Sequence, residues 1–271
     1  MVSKKIKRQA KEWANATKLL PKRDQINAAV LLRNDLLSKY SKTYVRACLT
    51  EFRKASKGVG FNLSYHLRIS KKEQGNLNKS YAAKLSKAHN DLKRIEDAEG
   101  MINKAVLGLA SDDVNRVVVC LILITGRRPV EVLKLAKFAK VRGDNSQLVF
   151  EGQAKTKGRD IGQYTIPVLG KAAPACIKAL KKVRKEMDCT GLSNEGASRK
   201  YNDRICLLPT KLFKAHLGRC TPHDLRKAYA AICTAFYKPR SMSANAYISS
   251  ILGHGLEDIS TANSYMKYYL D

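Results

Sequence analysis

Apolar side chains recur along this chain at three- and four-residue intervals, the spacing of helices that bury one face. Between Gln25 and Tyr40 the apolar positions are Ile26, Val30, Leu31, Leu36 and Leu37. Between Tyr44 and Ala55 they are Tyr44, Ala47, Cys48, Phe52 and Ala55. Each set predicts a helix, and the two glycines of Lys57–Gly60 end the second. A third helix is predicted from Lys79 to Glu99, with a weak apolar face and many lysines. Farther on, Val114–Ile124 is largely apolar, with Ser111, Asp112 and Asp113 as cap candidates before it and Thr125-Gly126 closing it. Pro129 then stands where the first turn of another helix would begin, running to about Phe138. Arg128 is thereby placed at a tight helix–helix corner.

The period changes between Gln147 and Val168. LVFEGQ and QYTIPVL are rich in β-formers, and the turn-prone KTKGRDIG lies between them. This predicts a β-hairpin with Lys155 near its tip. Helices are predicted again over Ala172–Met187, Leu208–His216, Pro222–Tyr237, Asn245–Leu252 and Ser260–Leu270, with a polar loop near Thr190–Ala197. The expected fold is mainly α with a small antiparallel β-sheet. The division falls near residues 100–110, giving a basic helical domain over residues 1–104 and a second domain over 105–271.

A chain of 271 residues with 44% hydrophobic content can bury the cores of two modest domains, or of one large one. Charge adds more. Lys+Arg 51 against Asp+Glu 23 gives +28, spread along the whole length. A polyanion is the natural partner, and nucleic acid is the first candidate. A basic protein of membranes or ribosomes is the plainer reading, and the chemistry of the second half weighs against it. The seven cysteines are odd in number and contain no CxxC pair. They read as reduced, buried thiols of a cytosolic protein, and their spacing offers no zinc site. The opening MVSKKIKRQAKEW is basic without an apolar core, and the longest apolar run, Val117–Ile124, is too short to span a bilayer. A soluble intracellular protein is expected.

Candidate chemistry is confined to the second half: Arg128 in TGRR, Lys155 in GQAKTK, His223 and Arg226 in PHDLR, His254 in LGHG and Tyr265 in STANSY. Guanidiniums grip phosphate bidentately. A lysine can protonate a leaving oxygen, and histidines hold or move protons. Tyrosine is a nucleophile with no charge to repel a phosphate. Each position also has a plain reading. Arg128 reads equally as a surface arginine paired with Glu131. Lys157 and Arg159 rival Lys155. His223 and Arg226 lie one helical turn apart on a shared face, as a capping histidine and a solvated arginine would. His254 reads as a helix C-cap. Tyr268 and Tyr269 share the predicted helix of Tyr265, and nothing local separates the three.

Together the segments resemble the catalytic domain of tyrosine recombinases. TGRRPVEVL is similar to a TGxRxxEL box, GQAKTK to the lysine-bearing hairpin, HDLR to the HxxR box, LGH to the second histidine box, and DISTANSY to DLSTTxxY. Within that superfamily the chain resembles telomere resolvases (protelomerases), through GRRPVEV and FEGQAKTK. Three features depart from pattern. Phage protelomerases have lysine where this chain has His223. His254 and Tyr265 are eleven residues apart, two more than in most recombinases. The chain ends six residues after Tyr265, without the long terminal domain of phage protelomerases or the exchanged helix of many recombinases.

The resemblance implies an integrase-like catalytic domain preceded by a small helical DNA-binding domain. It implies catalytic roles for Arg128, Lys155, His223, Arg226, His254 and Tyr265. Arg128, Arg226 and His254 would hold the scissile phosphate, Tyr265 would form a 3′-phosphotyrosyl bond, Lys155 would protonate the 5′-oxygen, and His223 would take or orient the tyrosine proton. Glu131 would support the arginines from behind. No cofactor, metal or ATP is implied. The implied partner is double-stranded DNA at a palindromic site, bound by a homodimer, or by a tetramer for a recombinase. The implied setting is a cytoplasmic phage or plasmid replicon. Hairpin formation at DNA ends is the leading outcome. An integrase- or Xer-type recombinase and a non-catalytic DNA-binding protein of the same fold are the alternatives.

Overall fold

The computed structural model describes residues 2–154, 161–254 and 259–271. The chain folds as two compact units, residues 1–86 and 87–271. The first is helical: α1 (Lys4–Lys18), α2 (Lys22–Lys39), α3 (Lys42–Gly58) and most of α4 (Lys71–Asn90). The first and second predicted stripes become α2 and α3. Their buried side chains, among them Leu36, Val45, Cys48, Leu49 and Phe52, meet Ile6 and Ala10 of α1 and Leu63 and Leu67 of the following loop. Trp13 of α1 sets its ring edge-on to Phe52 at 5.5 Å. α1 was not anticipated from the sequence, because its buried stripe is mostly alanine, with Ala10 and Ala14 after Ile6. α4 starts eight residues before the expected Lys79. Ser70 and Glu73 form a reciprocal cap there, with Glu73 N donating to Ser70 Oγ at 3.2 Å and Ser70 N to Glu73 Oε2 at 3.1 Å.

The second unit opens on the end of α4 and passes into extended chain, where a helix continuing to Glu99 was expected. β1 (Lys93–Arg94) leads into α5 (Ala98–Gly108), whose Met101, Ile102 and Ala105 lie in the core of this unit. α5 therefore belongs whole to the second unit, whereas a division at residue 104 would cut it. α6 (Val114–Thr125) follows, capped by the Asp113 carboxylate, which accepts from Asn115 N. Every side chain from Val117 to Thr125 is buried. A helix apolar all round belongs at the centre of a domain, and α6 packs against α5, α10 and α7.

The helix expected from Pro129 to Phe138 stops early. Glu131–Leu135 is a single π-helical turn, closed by Ala136 N donating to Glu131 O at 2.7 Å. The chain then enters an antiparallel sheet in the order β2 (Lys137–Val141), β3 (Asp144–Glu151), β4 (Tyr164–Pro167). The expected hairpin is β3–β4, and β2 adds a strand on its far edge. Leu148, Phe150 and Ile166 alternate inward, as a half-buried sheet requires. Lys155, at the expected tip, lies outside the described residues.

The remaining elements are α7 (Ala173–Glu186), α8 (Asn194–Cys206), α9 (Leu208–Leu217), α10 (Pro222–Tyr237), α11 (Ala244–Leu252), α12 (Ile259–Asn263) and β5 (Tyr268–Tyr269). α8 occupies much of the region read as a loop. Its buried stripe is only Ala197, Tyr201 and Ile205, one residue per turn, too thin to register as a period. The final helix expected to reach Leu270 ends at Asn263. Beyond it the backbone pairs in parallel with β1, Lys93 N donating to Lys267 O at 2.9 Å and Ile95 N to Tyr269 O at 3.0 Å. Six cysteines are buried and Cys206 is half-buried, all as free thiols. No helix among the described residues is long and apolar enough to cross a membrane.

Because α6 is enclosed on every side, truncation there leaves a void that cannot collapse. Leu121→Ala should cost about 3 kcal/mol of stability, read as a lowered urea midpoint for the second unit.

Candidate active site

The site is built at a corner. α6 ends at Gly126 in the left-handed region, φ 66°. A Cβ there would come within 2.2 Å of the Tyr229 ring, so only glycine permits the turn. The next two residues part company. The Arg127 side chain runs inward and is fully buried, while that of Arg128 keeps 15% exposure. Arg128 donates twice to Glu131, from its backbone N to Oε2 at 2.8 Å and from Nη1 to Oε1 at 2.6 Å. The pairing anticipated as the plain reading of Arg128 therefore exists, but it is not a surface pair, since Glu131 is fully buried. Ala154 N also donates to Glu131 Oε1, at 3.1 Å, and Arg226 Nη1 stands 3.9 Å from Oε2.

α10 supplies the second arginine. Its start is fixed by a capping box between Thr221 and Asp224, with Pro222 in the first turn. This sets His223 and Arg226 on one face, as their spacing predicted. Arg226 is fully buried and joins three segments. Nη1 donates to Gly126 O, Nη2 to Leu252 O at 3.0 Å, and Nε to the Tyr265 hydroxyl across a long 3.4 Å.

α11 ends at Gly253, again left-handed, and His254 follows at once. The His254 ring lies 5.0 Å from that of Tyr265, and the His223 ring lies 5.4 Å from it on an edge-on approach. Arg128, His223, Arg226, His254 and Tyr265 are thus brought together from four separate stretches of chain. Lys155 and its rivals Lys157 and Arg159 lie outside the described residues. What is described is the segment leading to them, held at Ala154 by Glu131 and at Gln153 by its side chain.

The three rival tyrosines are distinguished by surroundings. Tyr265 is buried, and burial pushes its phenol up. The guanidiniums of Arg226 and then Arg128 outweigh this and hold its pKa below the ordinary 10. Tyr268 is buried in the β1–β5 pairing, and desolvation pushes its pKa well up. Tyr269 is exposed. Of the two buried phenols, Tyr265 is the one shifted towards its anion. Glu131 behaves alike: burial pushes its carboxyl up, but Arg226, Arg127 and Arg128 bring it down to about 2. His223 keeps solvent at its surface, yet desolvation first, then Lys227 and Arg226, push its pKa down to about 4. Its imidazole is therefore neutral at pH 7 and can accept a proton.

Three further side chains around this site were not singled out in the sequence. Arg127 stands beside the arginine that the TGxRxxEL box marks, and Gln153 and Tyr164 carry no local signal beyond their place beside the hairpin. Among the described residues no group of histidine, cysteine or carboxylate side chains is placed to hold a metal ion. The arrangement is an anion site: two guanidiniums directed at one tyrosine hydroxyl, with a neutral imidazole beside it.

Comparison with known proteins matches most of the second unit to a family. Residues 91–268 match the telomere resolvase ResT/TelK catalytic domain. The chain belongs to that family. Telomere resolvase ResT of Borreliella burgdorferi is 29% identical over 157 residues, covering 55% of this chain and 33% of that protein. The chain thus spans about a third of that relative's length. Among solved structures, protelomerase tela covalently complexed with substrate DNA aligns with a TM-score of 0.81 at 23% identity, covering 100% of this chain and 90% of that one. Protelomerase TelK complexed with substrate DNA aligns with a TM-score of 0.63 at 19% identity, covering 98% of this chain and 58% of that one. The fold is accordingly that of the protelomerases, a mainly helical catalytic fold with helices before it.

The lowered carboxyl of Glu131 predicts a pH dependence. Its folded pKa, about 2, lies below the ordinary 4.5, so its contribution to stability is present above 4.5 and is lost as pH falls towards 2. Urea midpoints measured from pH 5 to pH 2 should fall less steeply for Glu131→Gln than for the unaltered chain.

Proposed function

We propose that the protein is a DNA breaking–rejoining enzyme, a telomere resolvase that closes duplex ends into hairpins through a tyrosyl–DNA intermediate. The observation that carries this reading is the Tyr265 hydroxyl held by Arg226, with its phenol lowered by Arg226 and Arg128, in a chain of the telomere resolvase family. The solved relative's covalent complex with its substrate DNA supports the covalent step.

In this mechanism Arg128, Arg226 and His254 hold the non-bridging oxygens of one phosphate and stabilise the five-coordinate transition state. The Tyr265 oxygen attacks phosphorus and forms a 3′-phosphotyrosyl bond. Its proton passes to the neutral imidazole of His223. The bond from phosphorus to the 5′-oxygen breaks, and Lys155 gives that oxygen a proton. Glu131 stays behind the arginines and does not touch the phosphate, which a carboxylate would repel. The phosphotyrosyl link conserves the energy of the broken bond. The guanidiniums supply the positive charge, so this scheme calls on neither ATP nor a metal ion. In the second step the 5′-hydroxyl of the opposite strand of the same duplex attacks phosphorus and releases Tyr265, leaving a hairpin. A two-fold dimer on a palindromic site places one tyrosine on each strand.

Incubation of the protein with a nicked or 5′-phosphorothiolate palindromic duplex from its own replicon should give a covalent adduct, and hairpin ends when the duplex is intact. Strands joined between two duplexes would make it an integrase-type recombinase. No adduct on such sites would leave a DNA-binding protein of this fold. Tyr265→Phe should abolish the adduct while leaving DNA binding within about twofold. An adduct that persisted would move the nucleophile to Tyr268 or Tyr269. With +28 formal charge, DNA affinity should fall steeply between 50 and 200 mM salt, by on the order of a thousandfold or more for six or more phosphate contacts. An affinity flat with salt would contradict a phosphate-dominated interface.

A further inference from the structure

The mechanism leaves one buried charge without a task. Arg127 is fully buried, and no carboxylate among the described residues lies within ion-pairing distance of it. Desolvation acts against its charge, but Tyr164, Glu131 and Tyr229 outweigh that, so it stays a cation. Its guanidinium lies over the Phe150 ring at 4.5 Å. Nε donates to Thr125 O at 3.1 Å, Nη1 to the Tyr164 hydroxyl at 2.7 Å, and Nη2 to Ile251 O at 2.5 Å. The Tyr164 hydroxyl in turn donates to Gln153 Oε1 at 2.7 Å. Gln153 Nε2 then donates to Leu252 O at 3.2 Å and to Gly253 O at 2.8 Å.

This chain of bonds runs in one direction only. A guanidinium cannot accept, so the Tyr164 hydroxyl must accept from Arg127 and give its own proton to Gln153. The Gln153 amide is thereby oriented with its nitrogen towards α11. The acceptors reached are the carbonyls of residues 251, 252 and 253, the last three before His254. Carbonyls at a helix end ordinarily turn to water or to a following cap. Here Arg127, Gln153 and Arg226 take them all. The packing leaves no slack, since a Cβ on Gly253 would fall 2.3 Å from the Tyr164 hydroxyl and 2.5 Å from Gln153 Oε1.

We infer that Arg127, Tyr164 and Gln153 are positioning residues that set His254 beside Tyr265, where it meets the phosphate that the tyrosine attacks. They touch neither phosphate nor nucleophile. They fix the end of α11 in angle and depth, and so set the His254 ring 5.0 Å from that of Tyr265. The inference rests on the proposed role of His254 at the phosphate. A misplacement on the scale of an ångström in such a site costs on the order of a hundredfold in rate.

The test uses Gln153→Met, which keeps length and loses the donor, and Tyr164→Phe, which keeps the ring and loses the hydroxyl. Each is made alone, with His254→Ala and with Lys155→Ala, in the full chain. Single-turnover adduct formation on the nicked palindromic duplex should fall about 10- to 100-fold for each single variant. With His254→Ala already present, the same changes should cost less than about threefold, the non-additivity of residues acting through one another. Equal losses with and without His254→Ala would overturn the inference, as would non-additivity with Lys155→Ala alone. A second reading does not depend on cleavage. The ring carbon–proton resonance of His254 in the free protein should shift in both variants while those of His66 and His216 stay in place. An unmoved His254 resonance would overturn the inference even if cleavage fell. If the unaltered protein formed no adduct, the functional reading would fail, and the resonance would still decide the positioning.

Discussion

Everything at the site depends on one buried carboxylate. Glu131 draws Arg128 to it by two hydrogen bonds, stands beside Arg226, and accepts from the backbone of Ala154. Without an anion in their midst, three guanidiniums gathered in a protein interior would repel one another and remain poorly solvated. With it, Arg128 and Arg226 can both face Tyr265. The cost of burying Glu131 is offset by the same cations that it organises, which is why its carboxyl stays ionised well into acid, its pKa being about 2.

Around that carboxylate the backbone supplies sharp corners. Gly126 ends α6 and Gly253 ends α11, both left-handed, and each is crowded by a tyrosine that a side chain would strike. The two corners hand their carbonyls to Arg226, which donates to Gly126 O and Leu252 O. A single side chain of α10 thereby locks together the ends of two other helices. The same guanidinium then has one remaining edge for the hydroxyl of Tyr265. Rigidity and chemistry are two uses of one planar group with five donors.

Much of this was legible in the sequence. The apolar run of α6, the cap and proline of α10, and the β-rich hairpin strands all carry local signals. The boxes around Arg128, Arg226, His254 and Tyr265 name side chains that the fold gathers. Other parts were not legible because their causes are distant. The π turn at Glu131–Leu135 exists where Arg184 of α7 donates to Glu131 O at 3.1 Å and to Ala136 O at 3.0 Å, two carbonyls a sequence does not bring together. The final strand forms because β1 lies far back in the chain with free backbone donors. Tyr265 could not be told from Tyr268 by local pattern, since their difference is the charge around them. Arg127, next to Arg128, shows the same limit: adjacent in sequence, the two take different partners, Arg127 the Tyr164 hydroxyl and Ile251 O, Arg128 the Glu131 carboxylate.

The parallel pairing of β1 with β5 has a mechanical meaning. It fastens the segment after Tyr265 to the first strand of the second unit, and the Arg94–Asp271 ion pair at 2.6 Å and the Lys267–Asp224 pair at 2.6 Å add two lateral ties. Tyr265 therefore sits on a short span anchored downstream to two other parts of the fold. A pull on its oxygen would be shared among these backbone bonds and ion pairs rather than fall on one of them. On the proposed role of Tyr265, that sharing would keep the tyrosine in register with Arg226 while a strained strand hangs from it.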